Sequence, residues 1–427
     1  MAAGLVAGNA CRPDSIEFAL LDPLGTGFAC GANRNALLLH GAGKMLCSVD
    51  DDVVCQLSTL PEIRSERVSL FSNCDPFARW LFADRASALD AANLVERDFL
   101  AAHEELLGRS VGEFFPQELT LDDLSLVDAG DDLIRRLAVA PARIRTSFLG
   151  HFGDPGIPSS SYYLYYERAN RDRMLASEEH YRAALASRSV LAAAPTLSIG
   201  DASVSPGMAM GFDHRELLPP FFPVLHAEDF IFGSTVWQCC AGSVAGHQPL
   251  AILHDPPPGK SILLPSDLGP KCRVVLFDLA QLMRRVIRDV ERAQRASTAD
   301  RTRALGRALS ELAAMPLADF MEVLRQKLLE HESEKLGYLD KQLEQDDLPD
   351  FWRRDVENLL RNARESMTEE DFDIPHDLKT GRTSAENRLF MQQLFARYGQ
   401  LLQDWPAIVE ATRELRVAGV NLAAPAN

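Results

Sequence analysis

Three consecutive aspartates, Asp50-Asp51-Asp52, close a short apolar run that begins at Lys44, and Val53-Val54 follow them directly. The run reads as a buried strand. Adjacent carboxylates repel one another, and a bound cation is the most effective way to offset that repulsion. In an open α/β sheet, ligands collect at the carboxyl ends of strands, where this triplet would stand. A hard divalent ion takes one or two carboxylates there and fills its other positions with water and phosphate oxygens. A solvated acidic turn would have the same composition. The residues around the triplet decide between the two.

The chain has 427 residues, enough for two or three domains with a sizeable core. With 46% hydrophobic and 25% charged residues it belongs with ordinary globular proteins. A formal net charge of −17 argues against a nucleic-acid or anionic-membrane surface, while leaving room for a local basic pocket. Cysteines 11, 30, 47, 55, 74, 239, 240 and 272 contain no CxxC pair or zinc-like spacing, and read as buried free thiols in a reducing compartment. No apolar run reaches the length of a transmembrane segment, and Met1–Asn9 carries no basic leader, so a cytoplasmic location is expected.

Ile16–Leu21 is a compact, mostly apolar run closed by Asp22-Pro23, which predicts a strand and a turn. A glycine-rich loop, Gly25–Asn35, leads into a short buried helix around Leu37–Leu39 that Gly41 and Gly43 end. Within the loop, Arg34 offers a fixed fork of donors for phosphate or carboxylate. Further on, Gly207–Pro223 continues into Glu228-Asp229, two acids at the start of an apolar run that suits a buried helix. Acids favour the positive end of a helix, and one carboxylate projecting into a cleft could equally serve as a general base. Pro249–Leu253 is an apolar strand ending at His254 and a proline run.

The order Gly-x-x-Arg-Asn, apolar helix, Gly, apolar strand, Asp-Asp-Asp resembles the first half of nucleotide-sugar glycosyltransferases of the GT-A fold (family-2-like), over about residues 16–258. The resemblance implies a Rossmann-like mixed sheet flanked by helices, and a nucleotide-sugar donor near Arg34 and Asn35. Asp50 and Asp52 match the DxD motif that holds Mn²⁺ or Mg²⁺ on the donor diphosphate, although which two of the three aspartates ligate is left open. It further implies Asp229 as the base for an acceptor hydroxyl, Glu228 on acceptor or sugar hydroxyls, and Asp213 at the sugar pocket. His254 matches the third metal ligand of many such enzymes, with His247 as runner-up. The acceptor (glycan, peptide or small molecule) and the stereochemistry stay open. A nucleotidyltransferase and a catalytically inactive, transferase-like binding protein are the alternatives. The base-binding βαβ unit usual in the family has no counterpart in the roughly 15 residues before Ile16, so the expectation is a start upstream of Met1 or a reduced donor pocket.

The domain division expected is a transferase-like unit over 1–265, with a helical insertion at about 60–140, and a helical unit over 266–427. In the insertion, Ala88–Leu107 has helical spacing, while Trp80 and its aromatic neighbours read as packing. Gly150–Ser161 is a loop dense in turn formers, followed by Tyr162, Tyr163, Tyr165 and Tyr166, which read as half-buried aromatics. Leu276, Leu279, Met283, Val286, Ile287 and Val290 begin a series of amphipathic helices, broken by Pro316, Pro349, Pro375 and Pro406.

Overall fold

The computed structural model describes residues 12–62, 68–114, 125–139, 142–257, 259, 261–266, 278–292, 296–379 and 381–420. Helices α1 (Pro13–Leu20) and α2 (Cys30–His40) precede strands β1 (Met45–Val49) and β2 (Val53–Thr59). Then come β3 (Ser69–Phe71), β4 (Ala78–Leu81), α3 (Arg85–Asp90), β5 (Asn93–Val95), α4 (Phe99–Glu104), β6 (Ser125–Asp128) and α5 (Asp131–Val139). The long strand β7 (Arg143–Gly153) is followed by α6 (Arg168–Met174), α7 (Glu178–Ala186), β8 (Val190–Ala193) and β9 (Ser198–Gly200). The sheet unit closes with β10 (Ala209–Asp213), α8 (Glu228–Cys239) and β11 (Ser243–His254). Among the described residues the α-helices that follow are α9 (Asp278–Asp289), α10 (Thr298–Ala313), α11 (Leu317–Leu343), α12 (Asp350–Ser366) and α13 (Ser384–Val417). The architecture is therefore α/β with a helical C-terminal region.

Eleven strands form one mixed sheet, whose main path runs β1-β10-β7-β11-β9-β3-β6. β7 and β11 lie parallel, while β1 pairs antiparallel with β10, Met45 opposite Asp213 and Val49 opposite Ala209. That register sends Asp50 off one end of the β1–β10 pair and Asp213 off the other. Across the sheet, β11 pairs antiparallel with β2, setting His254 opposite Val53, one residue after Asp52.

Several expectations change. Ile16–Leu21 is not a strand: Pro13 sits at the helix start with Asp14 in the first turn, and Ile16, Phe18 and Ala19 are buried from α1. Arg12 and Ser15 both bond Asp404, at 2.9 and 2.7 Å, which holds α1 against α13. Gly31–Asn35 belong to α2 rather than to a loop. The segment 88–107 breaks into α3, β5 and α4, because β5 pairs with β2 and Asp98 accepts from Leu100 N at 2.8 Å to start a new helix. The insertion at about 60–140 is thus mixed rather than helical, contributing β3, β4, β5 and β6 to the sheet.

The core is continuous from sheet to helical region. Phe221 stacks on Phe232 at 3.9 Å, and Phe222 meets Tyr398 edge-on at 5.2 Å. From α13, the Tyr398 hydroxyl donates to Pro220 O at 3.1 Å and Trp405 Nε1 donates to Leu218 O at 2.8 Å. Pro406 does not break α13, which runs through it as a buried residue. Where α10 crosses α13, Gly306 and Gly399 face each other, and a Cβ on Gly399 would stand 2.8 Å from the Gly306 carbonyl oxygen. No described helix is long and apolar enough to cross a membrane.

Candidate functional site

The first turns of α2 place Arg34 against the ends of β1 and α8. Arg34 is only 7% exposed, and its guanidinium forms the hub of the site. Nη1 donates to Glu228 Oε1, and Nη2 donates to Asp50 Oδ1 at 2.5 Å and to Gly207 O at 3.0 Å. Asp50 is held at this spot by its own N–H, which donates to Met208 O at 3.0 Å just beyond the β1–β10 pair. Asp229 joins the cluster from α8: its carboxylate accepts the N–H of Phe230 at 2.9 Å and that of Gly207. A Cβ at Gly207 would stand 2.9 Å from both Arg34 Nη2 and Asp229 Oδ2, so the close approach needs glycine.

One cation therefore serves three carboxylates. Burial pushes Asp50, Glu228 and Asp229 above the ordinary carboxylate range, and Arg34 pulls each of them back only in part. Asp229 adds to the rise of Glu228 by repulsion, and Asp50 adds to the rise of both. A carboxylate raised in this way is suited to taking up a proton near neutral pH.

The turn that presents the two acids is strained. Leu225 and Ala227 take left-handed backbone, at φ 68° and 61°, which L-residues adopt at a cost. Backbone bonds over-determine the conformation, with Leu225 N to Phe28 O at 3.1 Å and Ala32 N to Pro223 O at 2.9 Å. Gly31 lets α2 pack on this segment, since any Cβ there would collide with the Phe222 carbonyl.

A second pair adjoins Asp50. His254 Nδ1 lies 2.8 Å from the Asp154 carbonyl and its Nε2 lies 3.3 Å from Asp52 Oδ1. With Nδ1–H donated to the carbonyl, Nε2 is left as an electron-pair donor facing a carboxylate, the orientation of a metal-ligating imidazole. Asp154 is itself clamped by two 2.7 Å bonds from Arg188, and a Cβ on Gly156 would touch His254 Cε1 at 3.7 Å, so the 154–159 segment lies against this histidine. Of the loop expected over 150–161, residues 150–153 extend β7 and 160–161 begin a short 3-10 helix. Asp50 feels both Asp52 and His254 electrostatically but is bonded to Arg34. Asp52 and His254 fit a hard cation that keeps most of its water. Among the described residues no group of three or more His, Cys, Asp or Glu side chains is arranged to hold a metal.

Of the residues predicted for the site, Arg34, Asp50, Glu228 and Asp229 come together, with Asp52 and His254 beside them. Asn35 does not face this cluster: its amide bonds Ala19 O, Phe221 O and Phe221 N at 3.1, 3.1 and 2.8 Å, holding α1 and the 221 segment to α2. Asp213 sits at the far end of β10, bonded to Arg215 at 2.8 and 3.0 Å. His247 is enclosed by Phe71, Phe77 and Phe148 with Nε2 on Val204 O at 2.9 Å, and burial lowers its pKa to about 4. It is a core histidine. Trp80 lies under Arg173 at 4.2 Å, and Tyr163 and Tyr165 pack towards α7 and α11, so the aromatics are packing groups as expected.

Sequence reasoning missed Cys30, Gly207 and Asp154. Cys30 stands one helical turn before Arg34, is exposed, and feels Glu228, Asp50 and Asp229. That spacing was visible, whereas Gly207 and Asp154 are brought in by strand register. The cysteines also depart from expectation: among those described only Cys239 and Cys240 are buried, and Cys11 and Cys272 lie outside the described residues. Comparison with protein-family models, with curated proteins and with solved structures finds no match for this chain.

Proposed function

We propose that this protein is a glycosyltransferase of the GT-A type, moving a sugar from a nucleotide-sugar donor to an acceptor hydroxyl. The observation that carries the reading is the convergence of Asp50, Glu228 and Asp229 on Arg34, beside the Asp52–His254 pair. Mn²⁺ or Mg²⁺ is the implied cofactor, and when bound at Asp52 and His254 it would neutralise the charge of a leaving diphosphate. The chain's own residues then divide the work. Asp229, half-buried with a raised pKa, takes the proton of the acceptor hydroxyl. Glu228 is fixed by Arg34, and Arg34 limits the repulsion between the acids so that Asp229 keeps its place when ionised. The segment that follows β7 orients His254 through the Asp154 carbonyl.

The test is a calorimetric titration of Mn²⁺ with a panel of nucleoside diphosphates into the wild-type protein and Asp52→Ala. One diphosphate should bind only with metal and lose binding in the variant. A folded protein that binds none of the panel would refute the reading, and binding without sugar transfer from the matching donor would indicate an inactive, transferase-like binding protein.

A further inference from the structure

We infer that the seam between α9 and α11 is a binding site for a phosphate group, built on Arg284, Lys335 and His331. The two helices are pinned side by side by the Arg285–Glu334 ion pair and by Lys327–Asp289 at 2.7 Å. Arg288, one turn after Arg284 on α9, is neutralised by Asp201 at 2.9 Å. Arg284 and Lys335 differ. Both are half-buried, and among the described residues neither has a carboxylate within ion-pair distance.

Arg284 donates only to neutral oxygens, Ser234 Oγ at 3.2 Å, Gln281 Oε1 at 3.0 Å and Ser203 O at 2.8 Å, and lies over the Phe230 ring at 5.5 Å. Lys335 lies over the Tyr165 ring at 5.4 Å. One turn before it on α11, His331 is 7% exposed and its Nε2 has no hydrogen-bond partner among the described residues. A half-buried cation without a counter-ion is costly, and in a chain of net charge −17 acids were available to neutralise it.

The electrostatics agree with the geometry. Burial lowers all three, Arg284 to about 10 and His331 to about 3. Arg284 and Arg285 repel Lys335, both of these and Lys335 repel His331, and Arg284 is itself lowered further by Arg288 and Arg285. Acids also face them and offset part of the shift: Asp201 and Asp229 on Arg284, Glu167 and the fully buried Glu332 on Lys335. A guanidinium fork, an ammonium and an imidazole suit a tetrahedral oxyanion better than a planar carboxylate. Phe230, under Arg284, directly follows Asp229, so a phosphate held here lies next to the proposed base. The phosphate itself is inferred without the transferase reading. Only its assignment to a donor or an acceptor rests on that reading.

The experiment is calorimetry with inorganic phosphate, and separately with UDP and GDP, on wild type, Arg284→Gln, Lys335→Gln and Lys335→Arg. Inorganic phosphate should bind the wild type and weaken about ten-fold in each Gln variant, with Lys335→Arg retaining affinity. If Lys335→Gln weakens a nucleoside diphosphate equally, the phosphate is the donor's. If it weakens inorganic phosphate alone, the phosphate is the acceptor's. Should a variant fail to fold, phosphate must still protect Lys335 of the wild type from amine acylation. Absence of phosphate binding, equal affinity in folded Gln variants, or no protection of Lys335 would overturn the inference. Phosphate binding is read without turnover, so a failed transferase assay leaves it standing.

Discussion

Arg34 is the residue on which the site turns, because it is the direct cationic partner of two carboxylates and faces a third. Replacing it by Gln leaves Glu228 buried without its counter-charge, and should destabilise the fold by about 3–5 kcal/mol in urea unfolding. Lys should restore only part of that loss, since an ammonium lacks the fork that reaches Glu228 and Asp50 at once. The raised carboxylates set a pH dependence. The folded state binds the Glu228 and Asp229 protons more tightly than the unfolded chain does, so their contribution is greatest at low pH. It is lost as pH rises from the ordinary carboxylate value, about 4.3, to the raised folded values. Glu228→Gln should flatten that decline, and an unchanged pH–stability curve would contradict it. For the proposed transfer, Asp229→Asn should lower the rate about 10²–10⁴-fold while leaving nucleoside diphosphate affinity unchanged in calorimetry. At this scale much of the candidate site was readable. The aspartate triplet, Arg34, the acid pair and His254 stand out by residue type beside glycine or at element ends. Asn35 and Asp213 were of the right type, but their partners, Phe221 and Arg215, are fixed by packing and by the end of β10 that each occupies.

Elements were readable where local pattern and tertiary demand agree. The strand before Asp50, the helix after Ala227 and the strand ending at His254 all occur as expected. Pro13–Leu20 was not, because Ile16, Phe18 and Ala19 fit a short strand as well as a helix, and only contact with α13 decides. The 88–107 segment failed for the opposite reason: its helical spacing is overridden by the pairing of β5 with β2. A test of element packing is Gly31→Ala. A methyl there meets the Phe222 backbone and pushes α2 off the strained 221–227 segment, which should cost about 1–3 kcal/mol in chemical denaturation. It should also separate Arg34 from Glu228, which raises the Glu228 carboxyl further, so the decline of stability with rising pH described above should steepen.

At the scale of the molecule, the helical region belongs to the same core as the sheet. Trp405 and Tyr398 of α13 bond carbonyls in the 218–220 segment that leads to Glu228, and α1 is tied to Asp404. Calorimetric unfolding should therefore show one transition, and Trp405→Ala should lower its midpoint with a loss of about 3–5 kcal/mol. Two separable transitions would contradict a shared core. The sequence by itself determined the class of the chain: an α/β sheet with apolar strands delivering acids to their ends, followed by amphipathic helices whose apolar face must be buried. These follow from local periodicity and from the cost of exposing apolar side chains. Only the tertiary structure decided that one arginine gathers acids from the end of β1 and from α8, that Asp213 faces away, and that Arg284 and Lys335 come to one helix seam with no carboxylate at ion-pair distance among the described residues. Those outcomes depend on strand register and helix docking, where side chains hundreds of residues apart compete for the same space and charge, and no local pattern encodes which of them prevails.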